Sequence, residues 1–354
     1  MDISNLEKVL EGEPKYRLKQ AKESIYKNLI SDWSEATFFT KELRDKLNKA
    51  CPLEIKADVL VSKKEDSVKA KITLKDGLQI ETVLMRHRDG RNTVCVSSQV
   101  GCPLGCLFCA TGKMGLKRSL TTEEIVEQVI FFDRYLKNSR RRASADFFRV
   151  TNVTFMGMGE PFLNYDNVWE AVKIFNDAKC LNIGVRSISI STAGIIEGIK
   201  RLSNESLHVN LAISLHASND ELRRSLMPID KTYPLDKVLD AVAKYVEKTN
   251  RKVMFEYVLI KGVNDSDENA RELAKLMNNK LYFVNLILYN ETHSAPFDAA
   301  QDKRSGQAVI FKPSDTKRVE EFRALLEKLN VRYTQRYKFG DDIKAACGQF
   351  ATNG

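Results

Sequence analysis

Asn92-Thr93-Val94-Cys95-Val96-Ser97-Ser98-Gln99-Val100-Gly101-Cys102-Pro103-Leu104-Gly105-Cys106-Leu107-Phe108-Cys109 joins a β-branched run to a loop with three cysteines in eight residues. Thr93–Ser97 reads as a strand, and the loop after it has the spacing C-x3-C-x2-C. A structural zinc site wants four ligands, commonly as two separated pairs. Three thiolates packed this tightly suit a 4Fe–4S cluster with one iron left open, since cluster iron is held by cysteine thiolate. Gly101 and Gly105 allow the backbone to fold closely around it.

From about residue 92 onward the pattern of strand, loop and helix repeats. Strands are expected at Thr93–Ser97, Asn152–Met156, Ser187–Ser191, Val209–Leu215, Val253–Ile260 and Tyr282–Leu288. Helices are expected between them at Thr122–Leu136, Val168–Phe175, Ile195–Leu202, Leu235–Lys248 and Glu268–Leu276, with Thr122 and the acids after it as a start signal. Alternating βα units imply a parallel sheet with right-handed crossovers. The fold class read from this is α/β, a partial (β/α)6 barrel.

Upstream the rhythm differs. Leu18, Ala21, Ile25 and Leu29 share one helical face, opposite Lys15, Lys19, Lys22 and Lys27. Residues 53–85 alternate instead, as short antiparallel strands turning near Lys63–Asp66 and Asp76-Gly77. The expected division is a small helical plus β-hairpin domain over 1–87, a core barrel over 88–342 and a C-terminal segment over 343–354. Two excursions interrupt the core: the basic stretch Lys137–Arg142, and a polar loop over 294–313 holding Lys303 and Arg304. Each is a solvated loop or one that faces a polyanion.

The 354 residues carry 56 Lys and Arg against 47 Asp and Glu, a net charge of +9 that favours a polyanionic partner without proving one. Seven cysteines are too few for a disulfide scaffold, which points to a reducing compartment and a cytoplasmic protein. The N-terminus has no apolar run of the secretory kind, and no stretch approaches a membrane span.

In barrels, chemistry gathers at the C-terminal ends of strands. Met156-Gly157-Met158-Gly159-Glu160-Pro161, Ser191-Thr192-Ala193-Gly194, Ser214-Leu215-His216 and Asn290 all fall at such ends. G-x-G-x-x-G fails at Phe162, so a dinucleotide fingerprint is excluded. A glycine-lined backbone with an acid suits a ligand ammonium group instead. Cys51 and Cys180 have no polar motif around them and read as inert thiols.

The three-cysteine loop, with aromatic Phe108 before its last thiol, resembles the signature of the radical S-adenosylmethionine (SAM) superfamily. Together with Cys95–Cys102, Met156–Pro161, Ser214–His216, Gly262-Val263-Asn264-Asp265 and Asp341–Gln349, it resembles the radical SAM adenosine methyltransferases of RNA, from about residue 12 to 350. That family includes the RlmN type, which modifies carbon 2 of an adenine, and the Cfr type, which modifies carbon 8. Glu160-Pro161 favours the RlmN type, because the Cfr type tends to have alanine after the glutamate.

The resemblance implies one 4Fe–4S cluster on Cys102, Cys106 and Cys109, and two SAM molecules per turnover. Gly159 and Glu160 would meet the SAM amino group, with Ser191, Ser214, Leu215, His216 and Asn290 completing that site. The family usually has Asn-Pro where this chain has Asn290-Glu291. Cys347 would carry a methyl group, give up a hydrogen atom from it, and form a transient crosslink to the base. Cys95 would resolve that crosslink through a disulfide with Cys347, and Glu81 matches the proposed proton acceptor. The implied partners are large-subunit (23S) ribosomal RNA, tRNA, and an electron donor such as flavodoxin or ferredoxin, with the enzyme acting as a monomer. Two readings stand beside this one: a radical SAM activase or sulfur-inserting enzyme, and a zinc-stabilised RNA-binding protein.

Overall fold

The computed structural model describes residues 1–139, 149–292 and 311–351. Residues 140–142 of the basic stretch and 294–310 of the polar loop, Lys303 and Arg304 included, lie outside them.

Three helices open the chain: α1 (Leu6–Val9), α2 (Lys15–Tyr26) and α3 (Lys41–Ala50). Ala21 and Ile25 are the buried stripe of α2, while Lys15, Lys19 and Lys22 face outward, as the periodicity requires. Trp33 is fully buried and its indole N–H donates to the Cys51 carbonyl at 2.7 Å, so Cys51 belongs to the packing of this unit. Strands β1 (Ala57–Val61), β2 (Ser67–Thr73) and β3 (Gln79–Arg86) follow as an antiparallel meander.

β4 (Asn92–Cys95) is the hinge of the architecture. It pairs antiparallel with β3, Val83 opposite Cys95, and parallel with β7 (Asn152–Phe155) on its other side. Between them lie a separate two-stranded ribbon, β5 (Gln99–Gly101) with β6 (Leu116–Ser119), the single turn α4 (Ala110–Lys113), and α5 (Thr122–Asn138). The sheet then continues in parallel through β8 (Ile188–Thr192), β9 (Asn210–Ser214), β10 (Val253–Leu259), β11 (Tyr282–Leu288) and β12 (Tyr333–Gln335). Helices α6 (Tyr165–Asn176), α7 (Ile196–Leu202), α8 (Asp220–Leu226), α9 (Leu235–Thr249), α10 (Asp267–Leu276) and α11 (Thr316–Lys328) provide the crossovers. β4 and β12 do not pair, so the barrel is partial.

The six expected strands are present, and β12 adds a seventh parallel strand that three residues of sequence could not announce. α5 starts at Thr122 as expected, but the start signal is Thr121, which with Glu124 forms a capping box in which each side chain accepts from the other's backbone N–H. α6 begins at Tyr165 instead of Val168, directly after a 3-10 turn over Pro161–Asn164. α8 and α11 were not expected. Among the described residues no helix is long and apolar enough to cross a membrane.

Candidate active site

The three-cysteine loop is pinned at its root, where β5 and β6 pair. Gly101 adopts φ +78°, and a Cβ there would lie 1.8 Å from the Gly115 carbonyl oxygen, so only glycine fits. Cys102 N–H donates to that same carbonyl at 3.1 Å, and Leu107 N–H reaches the Leu226 carbonyl at 3.0 Å. Burial pushes the Cys102 thiol up to about 12 and raises Cys106 well above its ordinary value, with the neighbouring thiols adding to the rise. Thiols in that condition call for a positive charge among them, which bound iron supplies. Among the described residues no three His, Cys, Asp or Glu side chains close around a single point. Cys102, Cys106 and Cys109 instead line the wall of a cavity of about 150 Å³. An all-sulfur donor set bordering such a space fits a cluster that takes one thiolate per iron.

The opposite wall comes from the strand ends. A Cβ at Gly157 would sit 2.7 Å from the Val96 carbonyl oxygen, and one at Gly159 (φ +100°) 2.6 Å from Gln99 Cβ. These glycines let the loop after β7 press against the segment joining β4 to β5. Glu160 is buried there, accepting from Phe162 N–H at 3.0 Å and from Ala193 N–H at 2.7 Å. Burial pushes its carboxyl up to about 7, so a ligand cation would be welcome. Ser191 Oγ donates to Glu256 Oε2 at 2.7 Å and lies 3.3 Å from Ser214 Oγ.

His216 holds a left-handed backbone, φ +56°, that costs a non-glycine residue energy. Asn264 keeps it there: its Nδ2 donates to the His216 and Val258 carbonyls at 2.8 and 2.6 Å, and its Oδ1 accepts from Ile260 N–H at 2.8 Å. The imidazole Nδ1 accepts from Val258 N–H at 3.1 Å, and the ring meets Phe108 edge-on with centroids 4.8 Å apart. Burial first, and the Arg223 charge second, pull its pKa down to about 3, which keeps it neutral. The Leu215 side chain is buried in the core and does not border the cavity; its N–H donates to the Glu256 carbonyl of the neighbouring strand at 3.0 Å. Asn290 borders the cavity with its Oδ1 buried and without a partner, so a bound donor would satisfy it.

A second, narrower cavity of about 40 Å³ shares Met156, Asn290, Arg336 and Cys347 with the first and adds Cys95 to its wall. The two thiols that the chain separates by 252 positions thus border adjoining cavities, Cys95 buried and Cys347 half-buried. Burial raises both, and the Arg336 guanidinium pulls both back. The tail that delivers Cys347 is tied down by backbone and side-chain bonds. Ala110 N–H donates to the Gly348 carbonyl at 2.8 Å, Thr111 Oγ1 to the Phe350 carbonyl at 2.6 Å, and Asn290 Nδ2 to the Cys347 carbonyl at 3.2 Å. Glu81 ends this chain of contacts, accepting from Ala351 N–H at 3.0 Å and pairing with Lys69 at 2.7 Å. It is buried, which excludes an outward-facing strand carboxylate, yet it borders neither cavity. All seven cysteines are free thiols here.

Against known proteins, residues 96–274 match the radical SAM superfamily. A probable dual-specificity RNA methyltransferase RlmN from Dictyoglomus thermophilum is 43% identical over 98% of this chain and 94% of its own length. Its counterpart in Geobacillus kaustophilus is 42% identical over 96% and 88%. The crystal structure of a radical SAM methyltransferase from Sphaerobacter thermophilus covers 99% of this chain and 97% of its own, at 41% identity and a TM-score of 0.88. The chain belongs to the RlmN family of radical SAM RNA methyltransferases.

Membership in the RlmN family implies a 4Fe–4S cluster, SAM and an RNA substrate for the site just described. Two of its residues escaped the sequence. Glu256 interrupts the apolar run of β10, and a lone carboxylate inside a buried strand was the available signal. Arg336 follows β12 and places its guanidinium 3.3 Å from Glu256 Oε1 and 3.2 Å from Met156 Sδ, with no local pattern to mark it.

Proposed function

We propose that this RlmN-family enzyme methylates carbon 2 of an adenosine in large-subunit ribosomal RNA, and of one in tRNA. The observation that carries the reading is that Cys95, Cys347 and the three loop thiols border two adjoining cavities that share Cys347. A simple structural zinc protein has no use for the first pair. An activase or sulfur-inserting enzyme has none either.

Carbon 2 of adenine is electron-poor, and so is the SAM methyl group; direct displacement lacks a nucleophile. When bound, the cluster and SAM supply a 5′-deoxyadenosyl radical, at a cost of two SAM molecules per turnover. The chain's residues do the rest. Cys347 accepts a methyl group as a thioether, gives up one of its hydrogen atoms, and joins the base through that carbon. The adduct gives one electron to an electron carrier and its carbon-2 proton to a base, which restores the aromatic ring. The Cys95 thiolate then attacks the Cys347 sulfur, the sulfur–carbon bond breaks as the disulfide forms, and the carbon left on adenine takes up a proton to become the methyl group. Glu160 and the unpaired Asn290 Oδ1 receive the SAM ammonium group, while Ser191, Ser214 and the His216 backbone frame the rest of SAM. Glu81 holds the tail through Ala351; a proton-accepting role for it requires the tail to withdraw first. The basic face of α2 meets RNA phosphates, which position the target without reading it, and the base leaves its stack to reach the thiols. Reduction of the Cys95–Cys347 disulfide and a flavodoxin- or ferredoxin-type donor fit a monomer working in the cytoplasm.

Nucleoside mass spectrometry of RNA treated with enzyme, SAM and a reductant tests this directly. 2-Methyladenosine is the expected product. 8-Methyladenosine would transfer the protein to the Cfr type, and no methylated adenosine would overturn the reading.

A further inference from the structure

Arg223 in α8 is a fully buried guanidinium that the chemistry above does not use. Its Nη1 donates to Asp230 Oδ1 at 2.7 Å and to the Tyr233 carbonyl at 3.2 Å, and its Nη2 to the Ala193 carbonyl at 2.6 Å. Asp230 is equally buried. Such a pair is an expensive way to join two loops, since apolar residues of similar volume often stabilise as well or better. Its placement is specific. Ala193 and Met227 border the cavity beside Cys106, and Leu226, at the end of α8, accepts from Leu107 of the cluster loop at 3.0 Å. Leu226, Met227 and Ala193 share one apolar cluster with Cys102 and Leu104. The guanidinium edge points to this cluster through Ala193, while Asp230 occupies the other amino edge.

We propose that Arg223 is an electrostatic positioning residue for the cluster: its buried positive charge, presented ahead of Asp230, favours the reduced and more negative cluster and so raises its reduction potential. This rests on the cluster assignment made above. Charge in a water-poor interior is weakly screened, which is why a pair can act on a neighbour where surface charges cannot.

Anaerobically reconstituted enzyme, without SAM, is titrated potentiometrically, with the reduced cluster followed by electron paramagnetic resonance. The double variant Arg223→Gln/Asp230→Asn removes both buried charges, leaving only half-exposed Arg224, whose Nε lies 3.5 Å from Asp230 Oδ2, without that carboxylate. Its reduced-to-oxidised ratio at a fixed potential is expected to fall at least tenfold, about 59 mV for a one-electron couple. Asp230→Asn alone leaves the cation uncompensated, and its ratio is expected to rise. A purely structural staple predicts no such opposition of sign; unchanged potentials, or shifts in the same direction, overturn the proposal. If the double variant fails to fold or to hold iron, Asp230→Asn decides alone: a rise supports the proposal, and no rise overturns it. A wild-type protein that takes up no iron–sulfur cluster would instead defeat the cluster assignment, a different and recognisable failure.

Discussion

The five functional cysteines reach the site by two unlike routes. Cys102, Cys106 and Cys109 arrive together on one loop, rooted locally by the β5–β6 ribbon and by Gly101 against Gly115, with longer-range ties to Leu226 and to an apolar cluster. Cys95 and Cys347 arrive from a central strand and from the far end of the chain, and the second depends on a tail held by a few polar contacts. The difference teaches where robustness lies. Three thiols on one locally rooted loop keep their mutual spacing, whereas a thiol delivered by a tail is only as well placed as its last anchor.

The strongest break of this contrast is substitution within each set. Cys102→Ala is expected to abolish cluster binding and every methyl transfer together, read as loss of iron and of the brown absorbance. Cys347→Ala should reduce methylated RNA to background while iron content stays at the wild-type level. Loss of iron in Cys347→Ala would show that the tail and the loop are one structural unit. Cys95→Ala sharpens the contrast further, because it should leave a protein–RNA adduct visible on a denaturing gel; free product with no adduct would remove its resolving role.

A gentler break acts on the anchor. Lys69 and Glu81 are both nearly buried, and losing one partner of a buried pair costs about 3–5 kcal/mol. Glu81→Gln should therefore lower methylation roughly ten- to hundredfold, a barrier change of about 1.4–2.8 kcal/mol, with iron content intact. A variant that lost iron in proportion to activity would contradict the separation of the two routes.

The same contrast explains what was legible in the sequence. The run from β4 into the cluster loop declares itself because alternation and cysteine spacing are local, and the strand ends carrying Glu160, Ser191 and His216 follow from the βα rhythm. Arg336 did not, since β12 has three residues and no period can be read from three. α8 was hidden because its seven residues bury only Arg223 and Leu226, and a buried arginine reads as surface until Asp230 is seen beside it. The part Glu81 plays depends on cross-strand placement. The strand register puts it opposite Lys71, while its salt bridge runs diagonally to Lys69, two residues along on the same face.

Glu160 belongs to neither route; it joins the loops after β7 and β8 and faces the cavity that both supply. Its folded pKa of about 7 exceeds the ordinary 4.5, so its contribution to stability is fully present below about pH 4.5 and is lost as pH rises through about 7. The difference corresponds to about 3 kcal/mol. Glu160→Gln cannot titrate, so in cluster-free protein it should gain about that much relative to wild type between pH 4.5 and 7.5, measured by urea unfolding at each pH. The remaining buried carboxyls, such as Asp133 raised to about 6, are common to both proteins and cancel in the difference. Adding a cation to the cavity should act oppositely, holding Glu160 ionised and flattening the wild-type profile. If wild type and variant lose stability in parallel, the carboxylate is already compensated by the backbone N–H groups of Phe162 and Ala193. The ammonium would then owe its place to Asn290 instead.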